Sequence, residues 1–342
     1  DSNVAMGQEA LVANTTANNN TAVGTLALTT NTTGGNNVAV GKSALTTNTT
    51  GICNTALGRT SMELNTTGSC NVAVGKDALS NNTTADHNTA VGFQSLKLNT
   101  TGASNVGIGV CSLAANTTGT HNTAVGSCSL NDNTTASYNT AFGKQTLEHN
   151  ITGEGNTGIG YQTLCTQTHA DADFNTGVGY RALRLNSEGN NNTAIGKEAL
   201  CANTTADNNT AVGSLSLSAN TTGACNIAMG SCALIANTTG SCNHGLGTFS
   251  LLANTEGHSN VGVGYQTIKT NTTGVKNVGV GHQALCKSTT ASDNTAVGYQ
   301  SLFANTTGHS NVAVGCGSLV ANTTGFRNVG VGLGSLASNT EG

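Results

Sequence analysis

The chain has 342 residues, a net charge of −4 and only 8% charged residues, where ordinary soluble domains carry roughly 25%. It has no basic run to hold a phosphate backbone, which excludes nucleic acid as a partner, and no apolar stretch near the ~20 residues that span a bilayer. Proline is absent; because it cannot donate to a ladder, its absence fits a backbone bonded on both sides almost everywhere.

In chain order, the first recognisable element is Asn-Val-Ala-Met-Gly, closing at Gly7. The same form, Asn-(Thr/Val)-(Ala/Gly)-(Val/Ile)-Gly, returns at Gly24, Gly41, Gly58 and Gly75, a step of 17 residues, and runs on to Gly315 and Gly332. The step breaks once, between Gly160 and Gly179, where it is 19 residues and where two extra residues are placed near 172–173. Twenty repeats and this insertion account for all 342 residues, so nothing remains for a separate catalytic or binding domain. Residues 1–342 read as a single continuous, all-β, parallel β-solenoid (a β-roll or β-helix) of 20 coils with 17 residues each. In such a fold every unit buries its apolar side by stacking on its neighbours.

We count each repeat from its closing glycine as position zero. Position three is small (Ala, Ser or Thr), and position four is Leu (Leu11, Leu28, Leu45, Leu79, Leu96) apart from Met62 and Ile268. Position seven is Asn in most units and opens an Asn-Thr-Thr-(Gly/Ala) turn; position thirteen is always Asn. Strand side chains alternate, so Thr21 and Val23 share one face, as do Val38 and Val40. They are expected inside with Leu, leaving Ala22, Ala39 and Gly107 to point outward as a bare strip against which another backbone packs. Stacked coil on coil, the two Asn positions are expected to form amide ladders.

Asn-Val-Ala-Val-Gly-Lys-Ser-Ala-Leu (37–45) and Asn-Thr-Ala-Val-Gly-Tyr-Gln-Ser-Leu (294–302) resemble the head repeats of trimeric autotransporter adhesins. They are also similar to the Asn-Thr-Ala-x-Gly-Tyr-Gln-Ala-Leu arrays of bacterial and phage tail-fibre-like surface proteins. That resemblance implies a parallel β-roll, often trimeric, on an extracellular fibre, although the adhesin heads use shorter coils.

Little chemistry is visible. Gly41-Lys42-Ser43 lacks the earlier glycine of a phosphate loop, since position 36 is Asn. The eight histidines fall in different phases without paired ligand spacing, and the acids are scattered. No catalytic group, cofactor or metal is therefore expected. Cysteine pairs one period apart, Cys53–Cys70, Cys111–Cys128 and Cys225–Cys242, are expected to form disulfides across neighbouring coils, placing the protein in an oxidising compartment. Asn-x-Thr sequons offer glycosylation candidates at Asn14, Asn31, Asn48, Asn65, Asn82, Asn99, Asn116, Asn133, Asn203, Asn220, Asn237, Asn271, Asn305 and Asn322. Asn186, Asn254 and Asn339 keep the phase without the acceptor Thr, which favours a ladder role for the amide.

The function expected from these features is a non-enzymatic structural subunit of an extracellular or cell- or virion-surface fibre, adhesive and glycosylated. The alternative is an ice-binding solenoid using the Thr ladders Thr15, Thr32, Thr49, Thr66 and Thr16, Thr33, Thr50, Thr67. The expected partners are copies of the chain itself, packed laterally (a trimer among the arrangements) and end to end. Asp1 and Gly342 fall at positions eleven and ten, so copies placed tail to head continue the repeat count.

Overall fold

The computed structural model describes residues 2–167 and 172–341. The chain forms two compact units, residues 1–173 and 174–342. The first holds β1 (Val4–Met6) to β10 (Thr157–Ile159), and the second β11 (Thr176–Val178) to β20 (Val329–Val331). Each strand has three residues, and among the described residues there is no helix.

Within each unit every strand pairs in parallel with the next, at an offset of one repeat. Thr21 meets Val38, Ala22 meets Ala39 and Val23 meets Val40; in the second unit Thr193 meets Thr210 and Ile195 meets Val212. The expected parallel β-solenoid is therefore present. Coil-to-coil bonding extends beyond the short strands: Leu28 N donates to Ala44 O (3.0 Å), Val38 N to Asn54 O (2.8 Å) and Ser43 N to Thr25 O (2.9 Å). A backbone so fully engaged has no place for proline.

The glycine at position zero is dictated by geometry. Gly24 has φ 132°, and a Cβ there would lie 2.6 Å from Gly41 O on the next coil. The turn that follows places ordinary residues in the left-handed region, Leu26 at φ 63° and Leu28 at φ 51°. Each such residue costs roughly 1–2 kcal/mol. Burial of the leucine offsets this, since a fully buried Leu contributes about 1.5–3 kcal/mol and Leu28, Leu45, Leu79 and Leu96 are completely enclosed.

The strand faces are the reverse of the expectation. Ala22, Ala39, Ala56 and Ala73 are fully buried, whereas Val40 is 37% and Ile108 39% exposed; Val23 and Val125, expected inside, are only half-buried. Alternation holds, but its phase is inverted, because the coil is too narrow for two large side chains. Position fifteen faces position three at close range: a Cβ on Gly107 would meet Ser95 Oγ at 2.6 Å and Leu96 Cγ at 3.3 Å. One Leu and a methyl group fill the apolar space, and the Ala/Gly strip lines the interior rather than the surface.

The insertion expected near 172–173 can be placed from its flanks. Asn156 Nδ2 donates to Ala172 O as Asn139 Nδ2 does to Gly153 O, both at 2.8 Å. Ala172 thus takes the place of Gly153, and the two additional residues are counted between Gln167 and Ala172, outside the described residues. Of the expected bulge at 171–174, Asp171 also lies outside them. Asp173 Oδ1 accepts from Glu154 N at 2.7 Å, and Phe174 is 64% exposed.

Candidate functional site

Most of the polar chemistry of this chain joins one coil to the next. At position seven, Asn48 Nδ2 donates to Asn31 Oδ1 (2.8 Å) and to Gly51 O (3.0 Å) while its own Oδ1 accepts from Asn65 Nδ2 (2.8 Å). The second unit repeats this at Asn237, which donates to Asn220 Oδ1 and Gly240 O, both at 2.8 Å. At position thirteen the bonding differs: Asn37 Oδ1 accepts from the backbone N of Asn54 (2.9 Å), and Asn37 Nδ2 donates to Gly51 O (2.8 Å). Both expected amide ladders are thus present and deeply buried. Buried amides satisfied on both sides cost little to enclose and would be expensive to leave unpaired.

That burial favours the ladder role over a glycan at the candidate sequons. Asn31, Asn48, Asn65, Asn82, Asn99, Asn116, Asn133, Asn203, Asn220, Asn237, Asn271, Asn305 and Asn322 are fully buried, and Asn14 is half-buried. Each uses Nδ2, the atom a glycan would occupy, to hold the carbonyl three residues on, as Asn14 holds Ala17 O at 3.1 Å and Asn322 holds Gly325 O at 3.1 Å. The folded coil has no room for a sugar there.

The two threonines of the turn differ in kind. At position eight the hydroxyl is engaged: Thr15 Oγ1 donates to Thr32 O (2.9 Å), Thr32 Oγ1 to Thr49 O (3.0 Å) and Thr49 Oγ1 to Thr66 O (3.0 Å). At position nine, Thr16, Thr33, Thr50 and Thr67 are exposed. The side chain is therefore a buckle in one column and a surface hydroxyl in the other.

Cys53, Cys70, Cys111, Cys128, Cys225 and Cys242 are free thiols, which corrects the expected bridges Cys53–Cys70, Cys111–Cys128 and Cys225–Cys242. In-register stacking holds equivalent Cβ atoms about 4.8 Å apart on parallel bonds, whereas a disulfide wants them at about 3.5–4.5 Å. The pairs are neighbours all the same: burial, and then the adjacent Cys128, push the Cys111 thiol above its ordinary pKa. Burial likewise raises Cys286, against the opposing pull of Lys269 and Lys287. At Asp77, burial works upward, but the Thr60 hydroxyl and the Lys76 ammonium 3.4 Å away prevail and lower the carboxyl below its usual value.

The outer surface carries further columns at the repeat spacing. Position sixteen gives an apolar one, with Val40, Leu57, Ile108 and Ile159 exposed in the first unit and Ile195, Met229, Val297 and Val314 in the second. Rings stack between coils, as in His121 over Tyr138 and the run Tyr265–His282–Tyr299, with centroids 5.3 Å apart. Glutamines do the same: Gln283 Nε2 donates to Gln266 Oε1, and Gln300 Nε2 to Gln283 Oε1, both at 2.9 Å.

These features define a tandem-repeat parallel β-solenoid internally tied by Asn ladders. No protein-family model matches the chain, and no curated protein is detectably similar to it.

Proposed function

We propose that the chain is a non-enzymatic structural subunit of an extracellular fibre whose partners are further copies of itself. The observation that carries this reading is the coil-to-coil use of its polar groups, with Asn48 bonded to the coils before and after it through one amide. Each coil offers the next the same donors and acceptors that it accepts from the last, so the bonding pattern sets no limit on the number of coils. Such repetition suits axial stacking into a filament. The exposed column of Val40, Leu57 and Ile108 supplies an apolar face for lateral packing between copies. This replaces the Ala/Gly strip, which is buried.

The extracellular setting rests on the resemblance of the Asn-x-Ala-Val-Gly motif to surface-fibre repeats and draws nothing from the thiols. If the fibre is glycosylated, the sugars belong on the exposed hydroxyls of Thr16, Thr33, Thr50 and Thr67. Adhesive contacts would use the ring column Tyr265–His282–Tyr299.

Electron microscopy and fibre diffraction of purified protein test the reading. Filaments with an axial repeat near ~4.8 Å are expected. A monodisperse monomer that persists at high concentration overturns it, and thermal hysteresis in that monomer would favour the ice-binding alternative.

A further inference from the structure

We propose that Glu148, His149 and Cys165 form a binding site for one borderline-soft divalent cation of the zinc type, with Asp132 orienting the imidazole. Linear spacing conceals this group. Glu148 and Cys165 both stand at position five, on consecutive coils, and Asp132 and His149 both stand at position six. One period in sequence is one step along the stack, so Cys165 comes to lie beside Glu148, and His149 beside Asp132.

Cys165 Sγ is 3.8 Å from Glu148 Oε2, and His149 Nε2 is 3.9 Å from the same oxygen. The three ligand atoms lie within 4.8 Å of one another, and among the described residues no other such trio of His, Cys, Asp or Glu occurs. A tetrahedral ion with bonds of about 2.0–2.3 Å needs ligand separations of roughly 3.3–3.8 Å, which small side-chain movements would reach. His149 Nδ1 sits 2.7 Å from Asp132 Oδ2. A carboxylate there holds the proton on Nδ1 and leaves the Nε2 lone pair for a ligand, as second-sphere carboxylates do at metal-bound histidines.

The donor set selects the ion. Thiolate and imidazole suit zinc, whereas calcium and magnesium take oxygen. Cys165 is buried and the His149 side chain is 47% exposed, so three protein ligands close the inner side and the outer position is open to water. Binding displaces the thiol proton of Cys165 to solvent, and affinity therefore rises with pH.

The position also has a structural sense. Two residues beyond Cys165, Gln167 replaces the ladder asparagine. Its Nε2 turns to Asn156 Oδ1 (3.5 Å) and Ala172 O (3.4 Å), and Asn150 Oδ1 is left without the rung it would otherwise accept. An ion held by Glu148, His149 and Cys165, with Asp132 behind it, ties three coils where the amide ladder is interrupted.

The test uses the full chain, reduced and stripped of metal, titrated with zinc chloride by calorimetry and with cobalt(II) by absorption. The expected result is one ion per chain, with a sulfur-to-cobalt charge-transfer band. Cys165→Ser should abolish that band, and Asp132→Asn should weaken zinc about 10–100-fold. Cys286→Ser, another buried thiol outside the cluster, should bind as the unaltered chain does. X-ray absorption of the zinc-loaded, unsubstituted chain needs no variant to fold and should give one sulfur among nitrogen and oxygen neighbours. Failure to bind zinc, binding that survives Cys165→Ser, or a shell without sulfur overturns the proposal.

Discussion

Asn48 Nδ2 reaches Asn31 Oδ1 at 2.8 Å, one coil away, and the same amide accepts from Asn65 Nδ2 at 2.8 Å. The fold is a stack of such relationships. Each links the residue that turns the chain to its counterparts above and below, so local geometry and axial cohesion reside in one side chain.

Replacing Asn48 by Asp should expose this double duty. The carboxylate keeps the volume and the acceptor for Asn65, but it loses both donations and sets oxygen against Asn31 Oδ1 and Gly51 O. We expect a loss above the roughly 1–3 kcal/mol that neutral buried polar atoms cost when left without partners, because the introduced group is charged. Amide hydrogen exchange should locate it: protection should fall over the coils around residues 31–65 and stay unchanged in the second unit. Uniform loss of protection would mean the ladder is not a local brace.

The period, the parallel coil, the buried leucine and both amide ladders were legible in the sequence, because each follows from a residue repeated at one phase. The orientation of the strand was not, because small residues at position fifteen suit a bare surface as well as a narrow interior. Leu28 at φ 51° was equally hidden, since the left-handed region is ordinarily the province of Gly and Asn and Leu carries no such signal. The cluster of Glu148, His149 and Cys165 escaped because ligand motifs are sought at short spacings, whereas here one period brings the residues together. One internal clue to the strand phase was available. All three threonines at position three, Thr146, Thr163 and Thr267, belong to repeats whose position fifteen is glycine, Gly158, Gly177 and Gly279. Such compensation implies that the two positions face each other.

Glycines at different phases should respond differently to substitution. Gly75 has φ 138°, and its Cβ would fall 2.5 Å from Gly92 O. Gly75→Ala should therefore cost several kcal/mol, adding backbone strain to a clash with the next coil. Gly317 has φ 62° with open space around it, and its counterpart Gln300 adopts φ 51° without glycine. Gly317→Gln should stay within about 1 kcal/mol. Thermal denaturation of the two variants side by side checks the contrast.

The thiols should sort by burial. Under a mild alkylating reagent the folded protein should react first at the exposed Cys53, Cys70, Cys225, Cys242 and Cys316, and last at the buried Cys165 and Cys286. Because burial raises its pKa, Cys286 keeps its proton in the folded state through a range where the unfolded thiol ionises. Its contribution to stability is whole below the ordinary thiol value of ~8.5 and is lost as pH climbs through the folded value. Cys286→Ala should flatten the alkaline fall in stability; an unchanged pH profile would contradict the assignment.

The inverted strand face has the sharpest test, because serine and threonine at position three answer glycine differently. Ser95, opposite Gly107, donates Oγ to Gly107 O at 2.8 Å. Ser129, opposite Ala141, turns instead to Gly126 O at 3.0 Å. Serine therefore has a second place to go, and Gly107→Ala should cost no more than about 1 kcal/mol as Ser95 rotates toward Gly92 O. Thr146 has no such freedom. Its hydroxyl is held by Gly160 O, and its Cγ2 lies 2.6 Å from where a Cβ on Gly158 would stand. Gly158→Ala should cost about 1–3 kcal/mol through overpacking. Thr146→Ala in the same chain should recover much of that loss, since Ala faces Ala at Ala27 and Ala39, both fully buried. The resulting double-mutant cycle should give a coupling within about 0.5–3 kcal/mol. If position fifteen pointed to solvent, both glycine substitutions would be harmless and the coupling would vanish.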